Sequence, residues 1–214
     1  MTHRRNLEIA TACPPLHVVK QTTTVTRASR EARNGHRGAI VWLTGMPGSG
    51  KSTIADATAQ NLYALGIQTA ILDGDNIRLG LCADLGFSDA DRNENVRRVA
   101  ETAKLFIECG FVIIVALVSP IRETRERIKQ LLGPDDFLEV YCRCPSLVCQ
   151  RRDPKGHYAQ ARRGEIQEFT GVSSGYEEPL APALLLNTDS QSAEQSVEML
   201  TALILKRCMP SESR

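Results

Sequence analysis

The chain has few aromatics, five Phe, four Tyr and one Trp in 214 residues, so any aromatic in a polar loop calls for its own explanation. It also lacks an excess of one charge. Twenty-six Lys and Arg stand against 25 Asp and Glu, which leaves no cationic surplus to grip a polyanionic backbone and excludes nucleic-acid polymers as partners. Long apolar runs are missing too: the longest, Phe111 to Val118, is far short of the roughly 20 residues a membrane span needs. A soluble protein with no membrane partner is expected. The seven cysteines, Cys13, Cys82, Cys109, Cys142, Cys144, Cys149 and Cys208, are odd in number and scattered. They form no disulfide framework, which points to the reducing cytoplasm. No repeat of 20–50 residues occurs, so solenoids and propellers drop out. What remains, 42% hydrophobic and 24% charged, is ordinary globular composition.

Charge is unevenly shared along the chain. Residues 1–38 hold seven Lys/Arg and two Asp/Glu, a net +5, and the remainder carries −4. Residues 1–24 read as a basic extension, a solvated tail or dimer-contact arm with only weak transit-peptide character, and 25–214 as one domain. From Gly38 onward short apolar runs alternate with longer amphipathic ones, the rhythm of an α/β fold with a parallel sheet flanked by helices. Strands are expected at Ala39–Thr44, Thr69–Leu72, Phe111–Val118, Phe137–Cys144 and Leu184–Asn187. Helices are expected at about Lys51–Leu65, Asp89–Cys109, Pro120–Leu132 and Ala193–Arg207, the first three closed by Gly66, Gly110 and Gly133. Asp153–Pro182 breaks the rhythm. It is polar, holds at most a short helix, and carries two Tyr and one Phe, so it reads as a lid with hinges near Gly156 and Gly175.

The strongest signal is Gly45-Met46-Pro47-Gly48-Ser49-Gly50-Lys51-Ser52, which matches G-x-x-x-x-G-K-[ST] between a strand and a helix. Glycines let backbone N–H groups converge on phosphate oxygens at the positive end of the helix. Lys51 is expected to reach the β- and γ-phosphates of ATP, and Ser52 to ligate Mg²⁺.

In an open parallel sheet, ligands bind beyond the carboxyl ends of the strands. Asp73-Gly74-Asp75, followed by Arg78, lies there: its carboxylates could serve the metal or accept a proton from an attacking hydroxyl, or could merely cap a turn. Ser119-Pro120 fits an N-cap with proline at the first helical position; a nucleophilic or phosphate-contacting serine is the other reading. Arg92 and Asn95 extend the apolar stripe of Val96, Val99, Ala103, Phe106 and Ile107 backwards, which places them on the buried face, facing a polar ligand or an internal ion pair. Phe87 and Phe169 sit outside the periodic core and could sandwich a planar base or form a small satellite contact. Arg151, Arg152 and Lys155 suit closure over an anion, or a solvated charge run. Cys142, Cys144 and Cys149 lack zinc-ligand spacing and read as buried apolar side chains.

These motifs together resemble the adenylyl-sulfate kinase family. The resemblance spans about Val25 to Arg207 and rests on Asn34-Gly35-His36-x-Gly38, the Gly45–Ser52 loop, Leu72-Asp73-Gly74-Asp75-Asn76-x-Arg78, Asp84-Leu85-Gly86-Phe87-Ser88-x-x-Asp91-Arg92-x-Glu94-Asn95-x-Arg97-Arg98, Ser119-Pro120, Arg152-Asp153-Pro154-Lys155-Gly156-x-Tyr158 and Gly164-Glu165-Ile166-x-x-Phe169-Thr170-Gly171. It implies a P-loop kinase fold and transfer of the ATP γ-phosphate to the 3′-hydroxyl of adenosine 5′-phosphosulfate (APS). It further implies that Asp75 serves Mg²⁺ placement and hydroxyl activation, and that Arg78, Arg92 and Asn95 hold the phosphosulfate and sugar. Phe87 and Phe169 would stack on the APS adenine, Lys155 would approach the transferred phosphate, and Arg152 would flank the ATP adenine. Asp73 joins the substrate-binding set, and Ser119 is a phosphoenzyme site in some members, although direct in-line transfer is expected here. A homodimer is implied, and 214 residues leave us to expect ATP sulfurylase on a separate chain. Four departures stand out: Met46-Pro47 for Leu-Ser, Leu79 for His, Cys142-Arg143-Cys144 for a Val-Asp-Thr-like strand end, and Gly175 for Pro. None removes a proposed catalytic group. The competing readings are a P-loop kinase for another small-molecule or nucleotide acceptor, and a non-catalytic nucleotide-binding partner.

Overall fold

A computed structural model describes residues 17–19 and 21–209; most of the basic extension therefore lies outside the described residues. Five strands form one parallel sheet: β1 (Ala39–Thr44), β2 (Thr69–Asp73), β3 (Val112–Ala116), β4 (Phe137–Arg143) and β5 (Leu184–Asn187), in the order β2-β3-β1-β4-β5. Every residue of β1 is buried, as a strand covered on both faces and both edges must be. Alternation sends Val41 and Leu43 to one face, with Ile114 and Val140, against α2 (Lys51–Ala64) and α8 (Ala193–Cys208) through Ile54, Leu62, Leu200 and Ile204. Ile40 and Trp42 face the other way, with Ile113 and Val115, against α4 (Asp89–Glu108) and α5 (Arg122–Leu132) through Val96, Val99 and Ile128. Because the chain leaves β1 outward to β2 and later crosses to β4, the crevice at its carboxyl end is where such a sheet receives ligands.

The helix expected from Pro120 starts instead at Arg122, and Ser119 is not its N-cap. Ile121 occupies that position without a side-chain cap. The backbone N–H of Arg122 is satisfied from a distance by Glu177 Oε2 at 2.7 Å. Ser119 itself is buried at a positive φ of 38°, a conformation a non-glycine residue holds only when its surroundings impose it.

Three short helices were not expected. α3 (Gly74–Arg78) is capped by the Asp73 side chain, which accepts from Asp75 N; α6 (Ser146–Arg152) follows β4. The first, α1 (Arg27–Asn34), buries no residue, so polar bonds must dock it. Arg27 forks onto Asp136 at 2.5 and 2.8 Å, Asn34 Nδ2 reaches Gly110 O, and Glu31 accepts from Gly38 N at 2.9 Å. Behind it His36 is buried and its Nε2 accepts the Gln68 amide at 3.1 Å. A Cβ on Gly38 would stand 3.0 Å from Phe111 O. The Asn34–Gly38 motif is thus the device that docks α1. An Arg27→Ala substitution should cost about 1 kcal/mol, with amide hydrogen-exchange protection lost over residues 27–34 and retained in β1; loss spread through the sheet would contradict this docking role.

The segment expected as a lid, Asp153–Pro182, contains one short helix, α7 (His157–Arg162), and a bridge between Thr170 and Ser174. Its root packs on Met46, Cys144, Cys149 and Tyr158, with Phe169 and Tyr176 against them. Cys142, Cys144 and Cys149 are free and buried, and burial pushes the thiols of Cys142 and Cys149 up to about 12. Among the described residues no helix is long and apolar enough to cross a membrane.

Candidate active site

A cleft of about 730 Å³ opens at the carboxyl ends of the strands. Its floor is the Gly45–Ser52 loop, closed by backbone bonds from Ser49 N to Met46 O and from Ile54 N to Gly50 O. Gly45 has to be glycine: at φ 152° a Cβ would lie 2.5 Å from Cys142 O. Lys51 is buried and donates to Gly45 O and Met46 O, each at 2.8 Å. Burial lowers its ammonium to about 8 from an ordinary 10.5.

That shift predicts a pH dependence. Since the folded value lies below the free one, the neutral amine is favoured as pH rises from about 8 towards 10.5, and the fold gains stability over that window. The phosphate-binding charge is lost over the same window. Log kcat/KM for ATP should therefore bend down above pH about 8, and ATP binding near that pH should take up a proton, measurable by calorimetry in two buffers of different ionisation enthalpy. A flat profile to pH 10 would contradict it.

Of the remaining loop residues, Pro47, Gly48, Gly50, Lys51 and Ser52 line the cleft. Ser49 is buried beneath it, 3.5 Å from Lys51 Nζ. Met46 turns its side chain into the lid cluster and offers only its carbonyl. Beside the loop, Ser52 Oγ donates to Asp73 Oδ2 at 2.6 Å. Asp75, on the first turn of α3, lines the cleft and pairs through Oδ2 with Lys155 from the lid; this carboxylate holds the Lys155 ammonium above its ordinary value.

The opposite wall carries the substrate-side candidates. Asn95 is buried, lines the cleft, and its Nδ2 has no hydrogen-bond partner, so a ligand acceptor there would satisfy an amide that otherwise costs free energy. Arg78 donates to Gly86 O at 2.9 Å and lies over the Phe87 ring, 4.2 Å from its centroid. Arg92 donates to Phe87 O at 2.8 Å and to Glu168 O and Thr170 Oγ1 of the lid. Burial holds both guanidinium groups below their ordinary value. Phe87 is 51% exposed, whereas Phe169 packs edge-on against Tyr158 at 5.0 Å between centroids; both line the cleft. Arg152 lines it as well and donates to Thr188 O. Leu79 and Arg143 are exposed.

Sequence reasoning missed Thr188, Gln191, Ser192 and Ser196, which line the cleft where β5 runs into α8. Their only local signal is an ordinary capping box, Ser192 with Gln195, which marks a helix start and nothing more. It also missed Arg125, 1% exposed, which donates to Glu139 Oε1 at 2.8 Å and to Ser119 O and Glu177 O, each at 2.6 Å. Arg125 precedes Ile128 by three residues and Leu132 by seven, the buried apolar positions of α5. The stripe reasoning that found Arg92 would have found it.

Comparison with known proteins agrees with this geometry. Residues 37–187 match the family described as adenylylsulphate kinase. An adenylyl-sulfate kinase of Bacillus pumilus is 48% identical over 191 residues, 89% of this chain and 97% of the relative. One of Geotalea uraniireducens is 47% identical over 192 residues, 90% and 92% of the two chains. A solved Mycobacterium tuberculosis APS kinase, in complex with AMPPNP and APS, superposes with a TM-score of 0.74 at 45% identity, covering 78% of this chain and 97% of that one. With a cradle for phosphates, an acidic turn beside it and a match of this extent, the chain belongs to the adenylyl-sulfate kinase family.

Proposed function

We propose that the chain transfers the γ-phosphate of ATP to the 3′-hydroxyl of APS, forming 3′-phosphoadenosine 5′-phosphosulfate in sulfate assimilation. The observation that carries this reading is one cleft lined both by Lys51 and Ser52 of the glycine loop and by Arg78, Arg92 and Asn95, whose Nδ2 has no partner, with Asp75 paired to Lys155 beside them. An acceptor held between Phe87 and Phe169, its anionic end on the two guanidinium groups, presents a ribose hydroxyl towards Asp75.

The Ser52 hydroxyl and the Asp73 and Asp75 carboxylates are hard oxygen donors. They fit Mg²⁺, which favours one or two protein ligands together with substrate phosphates and water. When bound, the ion neutralises charge on the β- and γ-phosphates. The chain's own part is to place the donors. Lys51 follows the γ-phosphate, Asp75 accepts the hydroxyl proton or holds the metal's water, and Lys155 moves from the carboxylate towards the transferred group.

Direct transfer is favoured over a Ser119 phosphoenzyme. The Ser119 hydroxyl accepts from Trp42 Nε1 at 3.1 Å and donates to Thr44 Oγ1 at 3.1 Å, so it is committed to internal bonds. Cytoplasmic residence, a homodimer and a separate ATP sulfurylase supplying APS complete the proposal. The test is APS-dependent formation of ADP and of the 3′-phosphorylated product by the purified chain with Mg²⁺. Turnover with ordinary nucleoside monophosphates but not with APS would favour a kinase for another acceptor, and binding of both ligands without turnover a non-catalytic partner.

A further inference from the structure

We infer that Arg125 is a positioning residue: it fuses the β3–α5 turn and the return of the lid into one rigid frame, and that frame sets where the acceptor sits. The inference rests on the proposed phosphotransfer reading for its kinetic consequences, though its geometry stands alone. Arg125 is almost wholly buried on α5 and makes four contacts to three separate parts of the chain. It bonds to Glu139 of β4, to the carbonyl of Ser119 in the cleft wall, and to the carbonyl of Glu177 where the lid comes back to the body, with its guanidinium 5.6 Å from the Tyr176 ring centroid. A planar, permanently charged fork can hold three acceptors at once, which a single ammonium cannot do in that geometry.

The surrounding bonds run the same way. Glu177 N donates to Pro120 O at 2.9 Å, and Glu177 Oε2 accepts from Arg122 N. Tyr176 stacks on Tyr141 and its hydroxyl meets Thr44 Oγ1 at 2.9 Å. The lid's return is therefore fixed from Tyr176 onward, immediately after Gly175. The turn it is fixed to holds Ser119 at a positive φ, a conformation that needs outside support. Arg125 supplies that support to the backbone, while Trp42 and Thr44 hold the side chain.

Trp42, the only tryptophan in the chain, reports on the frame directly, because its indole N–H is bonded to Ser119 Oγ. Two variants separate positioning from folding. Arg125→Lys keeps a charge beside Glu139 but abandons two carbonyls. The double change Arg125→Met with Glu139→Met removes the buried pair without leaving one charge unpaired, the arrangement known to spare stability. Both should fold with wild-type melting cooperativity, shift the single indole N–H resonance, raise KM for APS about tenfold and lower kcat, while KM for ATP stays within about twofold of wild type. An unmoved indole resonance in both variants would overturn the inference, as would equal rises in KM for APS and ATP, which loosening of the whole domain gives. If the wild-type chain does not phosphorylate APS, the substrate reading fails while the indole resonance still decides the role of Arg125.

Discussion

Lys51→Ala should lower kcat/KM about 10³-fold, equivalent to roughly 4 kcal/mol of transition-state stabilisation. The size follows from where the ammonium sits. It is buried, aimed along the loop by two carbonyls at 2.8 Å, and acts in a medium where charge is poorly screened. Burial already disfavours its charged form, which holds it near 8; incoming phosphates reverse that penalty, so attraction grows as negative charge collects on the γ-phosphoryl group. The loss should fall mainly on kcat, with the variant still folded, because a neutral side chain at this position also removes a buried charge. Steady-state kinetics alongside a thermal melt check both parts. A decrease below tenfold with an unchanged melt would mean that Lys51 does not follow the transferred phosphate.

Asp75→Asn comes second in size, with an expected drop of about 10²-fold in kcat, the range for loss of a positioned proton acceptor. The substitution preserves shape and the α3 cap, since the capping oxygen belongs to Asp73. It releases Lys155 from its ion pair. A magnesium titration divides the two roles open to the carboxylate. If Asp75 holds the metal's water shell, the Mg²⁺ concentration for half-maximal rate rises in the variant; if it accepts the hydroxyl proton, that midpoint stays put while kcat falls. Undiminished activity would remove Asp75 from the reaction altogether.

Much of the fold was legible because burial on both sheet faces makes a strand an apolar run, as in β1, and β4 and β5 begin at the apolar residues from which they were expected, Phe137 and Leu184. The glycine loop was legible for a different reason: backbone convergence on phosphates permits few residues, and Gly45, pressed against Cys142 O, is one of them. α1 escaped because its sequence has no apolar stripe to find; Arg27 and Asp136, 109 positions apart, dock it. The start of α5 misled because Ser-Pro satisfies every local rule for a helix start, yet the donor group at Arg122 is met by Glu177 from 55 residues away, which no local pattern encodes. Arg92 and Asn95 were read from the helix stripe as cleft-facing, and both line the cleft. Asp75 was read at its strand end without the lid lysine that pairs with it. Long-range polar partners are what a one-dimensional pattern leaves out.

The position of β1 has a consequence for the order in which this molecule comes apart. It has neighbours on both sides, β3 and β4, and helices on both faces, so no partial opening that peels β2 or β5 from the edges exposes it. Local fluctuations of an edge strand cost a fraction of the global unfolding free energy, whereas freeing β1 costs nearly all of it. The glycine loop grows directly from its last residue. Its geometry is therefore held by the whole domain, and an edge strand can open many times over without misplacing the atoms that meet the phosphates.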